Sequence, residues 1–154
     1  MITAQRLLRQ LALPFEQVVS PEAEPVPDNH RPATFVRTSA SAKAWAVRRL
    51  VEDREPAIVI GADTVVVLDD RILGRPMDST EAAAMLRSLS GRTHRVFTGL
   101  SVIQPGGQEL QDHAVTQVLV RPLSAADIAW YVATGEPLDK AGAYGIQGLG
   151  ARFI

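Results

Sequence analysis

The sequence predicts an α/β fold, and three observations carry the prediction. Ala57 to Leu68 (AIVIGADTVVVL) is rich in Val and Ile and reads as a buried central strand. Two stretches, Ala33 to Glu52 and Asp78 to Leu89, carry apolar residues at helical spacing. His94 to Ile103 and Val115 to Leu123, separated by the turn residues QPGGQ, read as an antiparallel pair of strands. With 154 residues, 46% hydrophobic and 21% charged, the chain is long enough for one core without disulfides or structural metal, so one domain over 1–154 is the expectation.

In chain order, Arg6 to Leu13 reads as a short helix with Leu7, Leu8 and Leu11 on it, stopped by Pro14, and Phe15 to Val19 reads as a strand. Val18 to Pro32 holds four prolines, which favour an extended crossing over a helix. On the helix that follows, Val36, Ala40, Val47 and Leu50 share one face. Lys43 falls within about 20° of Val36 at 100° per residue, inside the apolar stripe. The plain reading packs its stem on the core and lets the ammonium reach water; the alternative turns it inward toward an anion.

Gly61 and Asp63 interrupt the central strand. A carboxylate there must be paired, hydrogen-bonded or bound to a cation, because a bare buried charge costs several kcal/mol. Capping a bulge and serving a site are both open to it. Asp69 and Asp70 make a tight turn into Ile72 and Leu73, and Gly74-Arg75-Pro76 places Arg75 on a loop entering the next helix. Asp78 with Glu81 opens that helix and Gly91 stops it. Ser124 with Asp127 opens the last one, carrying Ile128, Tyr131 and Val132 and closed by Gly135. The final GEPLDKAGAYGIQGLGARFI has five glycines around Gln147, a composition that lets backbone approach a ligand closely.

Charge and composition exclude several classes. A net charge of -1 argues against broad nucleic-acid binding, so an anionic ligand must be met locally. No run approaches the roughly 20 apolar residues of a membrane helix, and the amino terminus lacks signal architecture; a soluble protein without a membrane partner is expected. The absence of cysteine removes thiolate chemistry and agrees with a cytoplasmic location, and the three histidines show no ligand spacing. What remains is Asp63, an acid on the proline-rich loop (Glu24 or Glu22), the cations Lys43 and Arg75, and the glycine-rich element with Gln147. Carboxylates for a hard divalent ion and cations for phosphate oxygens are what phosphoryl chemistry demands.

IGADTVVVLDDRILGRP, AAAMLRSLSGRTHRVFTGLSV and YVATGEPLDKAGAYGIQGLGARFI, in this order, resemble consecutive motifs of the Maf family of nucleoside triphosphate pyrophosphatases. The DKAGAYGIQG form is similar to the dTTP/UTP branch rather than the 7-methyl-GTP branch, and the GADT and IQG wording departs from the inosine-triphosphate type. The resemblance implies an elongated twisted mixed sheet with helices, two lobes and a nucleotide cleft between them. It implies hydrolysis of a nucleoside triphosphate to monophosphate and pyrophosphate with Mg²⁺ or Mn²⁺, and leaves a homodimer open. It assigns Asp63 to catalysis and metal, Glu24 to metal, and Lys43, Arg75 and Gln147 to the substrate phosphates. Arg75 stands where the family usually has Lys, exchanging a point charge for a planar fork of donors. The family's S-x-S-P-R-R motif is not matched: Thr3 and Ala4 fall on its paired arginines. The family pattern also extends beyond both ends, so the resemblance implies a Maf-like domain shortened at each. A nucleotide-binding relative without turnover is therefore the alternative.

Overall fold

The computed structural model describes residues 4–22, 31–54 and 56–154. Helices α1 (Ala4–Gln10) and α2 (Pro32–Leu50) precede strands β1 (Val59–Leu68) and β2 (Arg71–Leu73). Helix α3 (Ser79–Leu89), strands β3 (Thr93–Ile103) and β4 (Glu109–Leu119) and helix α4 (Ala125–Ala133) follow. The chain then runs through three short 3-10 turns, Glu136–Asp139, Ala141–Ala143 and Leu149–Phe153. The four strands form one sheet in the order β2-β1-β3-β4.

Every pairing is antiparallel. This corrects the mixed sheet that the resemblance implies, for the described residues. β1–β2 and β3–β4 are hairpins, and parallel neighbours would need a crossover of a dozen or more residues between them. The β1–β2 turn is the Asp69-Asp70 pair, both with positive φ (48° and 61°), the geometry of a two-residue hairpin turn. Arg92, just before β3, and Arg95 of β3 hold the two carboxylates at 2.6 and 2.7 Å. Phe15 to Val19 is not a strand: no ladder partner reaches it among the described residues, and Val19 is exposed.

The sheet separates two apolar layers. Alternation along β1 sends Val65 and Val67 to one face, where they meet Val36 of α2 and Phe97. Val66 and Leu68 point to the other face, into a core with Leu86 and Leu89 of α3, Ile128 and Tyr131 of α4, and Tyr144 and Phe153. The capping residues predicted for both later helices are in place. Asp78 accepts from the Glu81 amide at 2.8 Å, and Ser124 with Asp127 forms a complete capping box.

Helix α2 lies close against β1 and β3 because two glycines face it. A Cβ on Gly61 would fall on the Ala40 carbonyl and 2.9 Å from the Ala44 Cβ. One on Gly99 would fall on the Val36 carbonyl and 2.7 Å from the Arg37 amide nitrogen. Gly99 is the register partner of Asp63, so one of the two close approaches of helix to sheet is directly across from that carboxylate.

Candidate active site

Asp63 lies on β1 on the same face as Gly61 and Val65, toward α2. Lys43 is seven residues after Val36 on α2, two turns along the same stripe, and the glycine-lined contact brings its ammonium within reach. Lys43 Nζ donates to Asp63 Oδ1 at 2.6 Å. The two side chains are 21% and 16% exposed, so the pair is largely withdrawn from water yet open on one side. The stem-on-core, ammonium-in-water reading of Lys43 therefore gives way to the inward one.

The open side is a cavity of about 240 Å³ whose wall includes Lys43, Asp63, Arg75, Ser39, Thr64 and Gly74. The β1–β2 hairpin delivers Gly74 and Arg75 to it. The Gly74 carbonyl accepts from the Gly142 amide at 3.0 Å, which fastens the carboxy-terminal glycine-rich segment beside the cavity, and Ala141 joins its wall. Three of the residues singled out from sequence, Asp63, Lys43 and Arg75, are thus brought together. Glu24 lies outside the described residues.

Gln147 is placed differently. It is not among the residues lining this cavity, and its Oε1 is buried without a hydrogen-bond partner among the described residues. Its loop is held on one side by the Glu136 carboxylate and on the other by the Tyr131 hydroxyl. Glu136 accepts from Tyr131 Oη at 2.8 Å, from the Leu149 amide at 2.9 Å and from the Gly150 amide at 3.2 Å. Tyr131 Oη in turn accepts from the Gly145 amide at 3.1 Å. Desolvation opposes ionisation of Glu136, but these donors outweigh it and hold its pKa below the ordinary carboxylate value. The closest neighbours of Gly148 and Gly150 are this carboxylate and the Tyr131 hydroxyl, so these two glycines make room for protein atoms.

A second, larger cavity of about 370 Å³ lies against the opposite sheet face. Thr64, Thr98 and Thr116 run across it from β1 to β4, flanked by Val66, Val96, Tyr144 and Ile146. Thr64 and Ala141 line both cavities. They meet at an open edge, because β2 pairs only with Val66 to Leu68 and leaves β1 without a strand neighbour on that side at Thr64, among the described residues.

One residue escaped the sequence reading. Ser39 stands four residues before Lys43, hence on the same helix face, and only the periodicity already used for Lys43 would have found it.

The chain matches the family model described as Maf-like protein over residues 4–154. The chain belongs to the Maf family. It is 48% identical over 146 residues to the dTTP/UTP pyrophosphatase of Nitratidesulfovibrio vulgaris, covering 94% of this chain and 68% of that one. It is 50% identical over 151 residues to the dTTP/UTP pyrophosphatase of Moorella thermoacetica, covering 97% and 76%. Among solved structures, a nucleoside-triphosphatase / dITP/XTP pyrophosphatase from Mycobacterium abscessus aligns with a TM-score of 0.45 and 17% identity over 79% of this chain and 67% of that one.

Proposed function

We propose that this Maf protein hydrolyses dTTP and UTP to the monophosphate and pyrophosphate at the cavity between α2 and β1. The observation that carries the reading is the convergence of Asp63, Lys43 and Arg75 on one cavity in a chain whose family relatives are dTTP/UTP pyrophosphatases.

The donor set suits Mg²⁺ or Mn²⁺. Asp63 offers a hard carboxylate oxygen at the cavity wall, and Mg²⁺ is commonly held by one or two carboxylates together with substrate phosphates. Among the described residues no three His, Cys, Asp or Glu side chains converge, so an all-protein cage is not the arrangement that fits. Asp63 would hold the ion, with Glu24 as the second carboxylate that the resemblance assigns. When bound, the ion supplies charge neutralisation at the phosphate oxygens.

The rest falls to the chain's own side chains. Arg75 and Lys43 bind the phosphate oxygens, Lys43 exchanging part of its interaction with Asp63 for the ligand. Asp63 orients water toward the α-phosphorus and takes its proton, which passes on to solvent; a bond forms from water oxygen to phosphorus as the bond to the bridging oxygen breaks, and pyrophosphate leaves. Little covalent work is asked of the protein, which contributes positioning and preset charge. The pyrimidine lies in the Thr64-Thr98-Thr116 cavity, reached past the open edge of β1. Gln147, which the resemblance assigns to the phosphates, does not line this cavity and takes no part in the step.

The test is a panel of dTTP, UTP, dITP and 7-methyl-GTP with Mg²⁺ or Mn²⁺, scored for pyrophosphate against phosphate. The reading expects one pyrophosphate per nucleotide, fastest with dTTP or UTP. Phosphate as the sole inorganic product, or faster turnover of a purine nucleotide, would refute it. A second reading, nucleotide binding without turnover, is favoured by Thr3 and Ala4 where the family pattern has arginines. It expects saturable nucleotide binding with no product.

A further inference from the structure

We propose that Ser39 is a phosphate-binding residue of this site, its hydroxyl donating to a non-bridging oxygen of the pyrophosphate portion of the substrate. The assignment rests on the reading of the cavity as a triphosphate site.

Ser39 is 1% exposed, and its Oγ has no hydrogen-bond partner among the described residues. Buried hydroxyls are nearly always satisfied, because an unmet donor keeps the full cost of leaving water. On a helix a serine has a ready outlet, since its hydroxyl can turn back to the carbonyl four residues earlier. Ser39 does not take it. Instead the residue lines the same cavity as Lys43, Asp63 and Arg75, one helical turn from Lys43. The missing partner is therefore sought inside the cavity.

The surroundings define its chemistry. Two cations and one carboxylate line the space, and the carboxylate is paired with Lys43, so the wall keeps a net positive charge and favours an anionic ligand. Neither Lys43 nor Arg75 accepts a hydrogen bond, and the Asp63 carboxylate, the acceptor on the same wall, makes none with Ser39, so the acceptor for its hydroxyl is the ligand itself. A phosphate oxygen accepts a hydroxyl and two cations at once, and a hydrogen bond to a charged acceptor is stronger than one to water. An alanine here would leave the cavity and both cations in place and lose only that bond. The glycine contacts that seat α2 involve Ala40, Ala44, Val36 and Arg37, so the substitution leaves the helix seated.

The experiment compares the wild-type chain with Ser39→Ala in three measurements: thermal denaturation without ligand, the Kd of inorganic pyrophosphate with Mg²⁺, and KM and kcat for UTP. Alanine is the better helix former and removes an unmet buried donor, so the ligand-free variant melts no lower than wild type. Its Kd for pyrophosphate rises about tenfold, which is about 1.4 kcal/mol. KM rises similarly while kcat stays within about twofold. Unchanged Kd and KM in Ser39→Ala would overturn the assignment and leave the pyrophosphatase reading standing. Pyrophosphate binding that weakens in Ser39→Ala, in a chain releasing nothing from UTP, would sustain Ser39 as a phosphate ligand and overturn the pyrophosphatase reading. A wild-type chain that neither binds pyrophosphate nor hydrolyses UTP would overturn both.

Discussion

Replacing Gly99 by alanine adds one uncharged methyl group at the register partner of Asp63. That methyl meets backbone, not a side chain that can turn away: the Val36 carbonyl and, at 2.7 Å, the Arg37 nitrogen. Ordinary contact begins at 3.4 Å, so α2 must retreat by about 1 Å over its first turns. Overpacking of a well-packed contact costs about 3 kcal/mol, which lowers the melting temperature by about 10 °C in a domain of this size. The retreat also draws Lys43 from its 2.6 Å contact with Asp63, and a displacement of that size in a positioned site lowers kcat/KM about 100-fold. Thermal denaturation read by circular dichroism, together with pyrophosphate release from UTP, checks both effects. A Gly99→Ala protein that melts within about 2 °C of wild type and keeps kcat/KM within about twofold would refute the claim that the glycine contact sets the site.

Three further outcomes are expected. Tyr131→Phe removes the hydroxyl that donates to Glu136 and accepts from the Gly145 amide; it should destabilise the fold by about 2 kcal/mol in urea titration, and unchanged stability would count against this anchor. His94 is buried with Nε2 against the Tyr144 hydroxyl at 2.7 Å, and desolvation lowers its pKa to about 4. Its folded value lies below the unfolded 6.5, so the unfolded chain binds the extra proton and stability falls as pH drops from 6.5 toward 4. Urea midpoints across this window should show the slope, and His94→Phe should flatten it. Asp78→Ala removes the cap of α3 and should cost about 1 kcal/mol with kcat/KM for UTP unchanged, since Asp78 is not among the residues lining the cavity. A matching fall in activity would contradict that separation.

How far the sequence reaches depends on the kind of signal. The caps Asp78 and Ser124 act within three or four residues, so their helices are readable from local chemistry. Strand β4 begins at Glu109 instead of Val115 because the hairpin pairs from its turn outward. As an edge strand it buries Val118 alone, so hydrophobic alternation hardly marks it. Phe15 to Val19 has strand composition but no partner among the described residues, and pairing, not composition, makes a strand. In the site, Lys43 and Asp63 were conspicuous because each breaks an apolar pattern. Ser39 breaks none, since a serine on a small-residue helix face is unremarkable until its hydroxyl is found without a partner. Gly99 was invisible for a similar reason: its consequence lies on another element, across a register that sequence does not state.

The central claim is that the carboxylate of Asp63 is the catalytic group of the cavity it shares with Lys43 and Arg75. Pyrophosphate release from UTP with Mg²⁺, measured for wild type and Asp63→Asn at matched circular dichroism spectra, tests it most directly. The amide keeps the shape and the cavity but loses the charge, and release should fall to the no-enzyme background. Release from the asparagine variant equal to wild type, or none from wild type under any divalent ion, would contradict it.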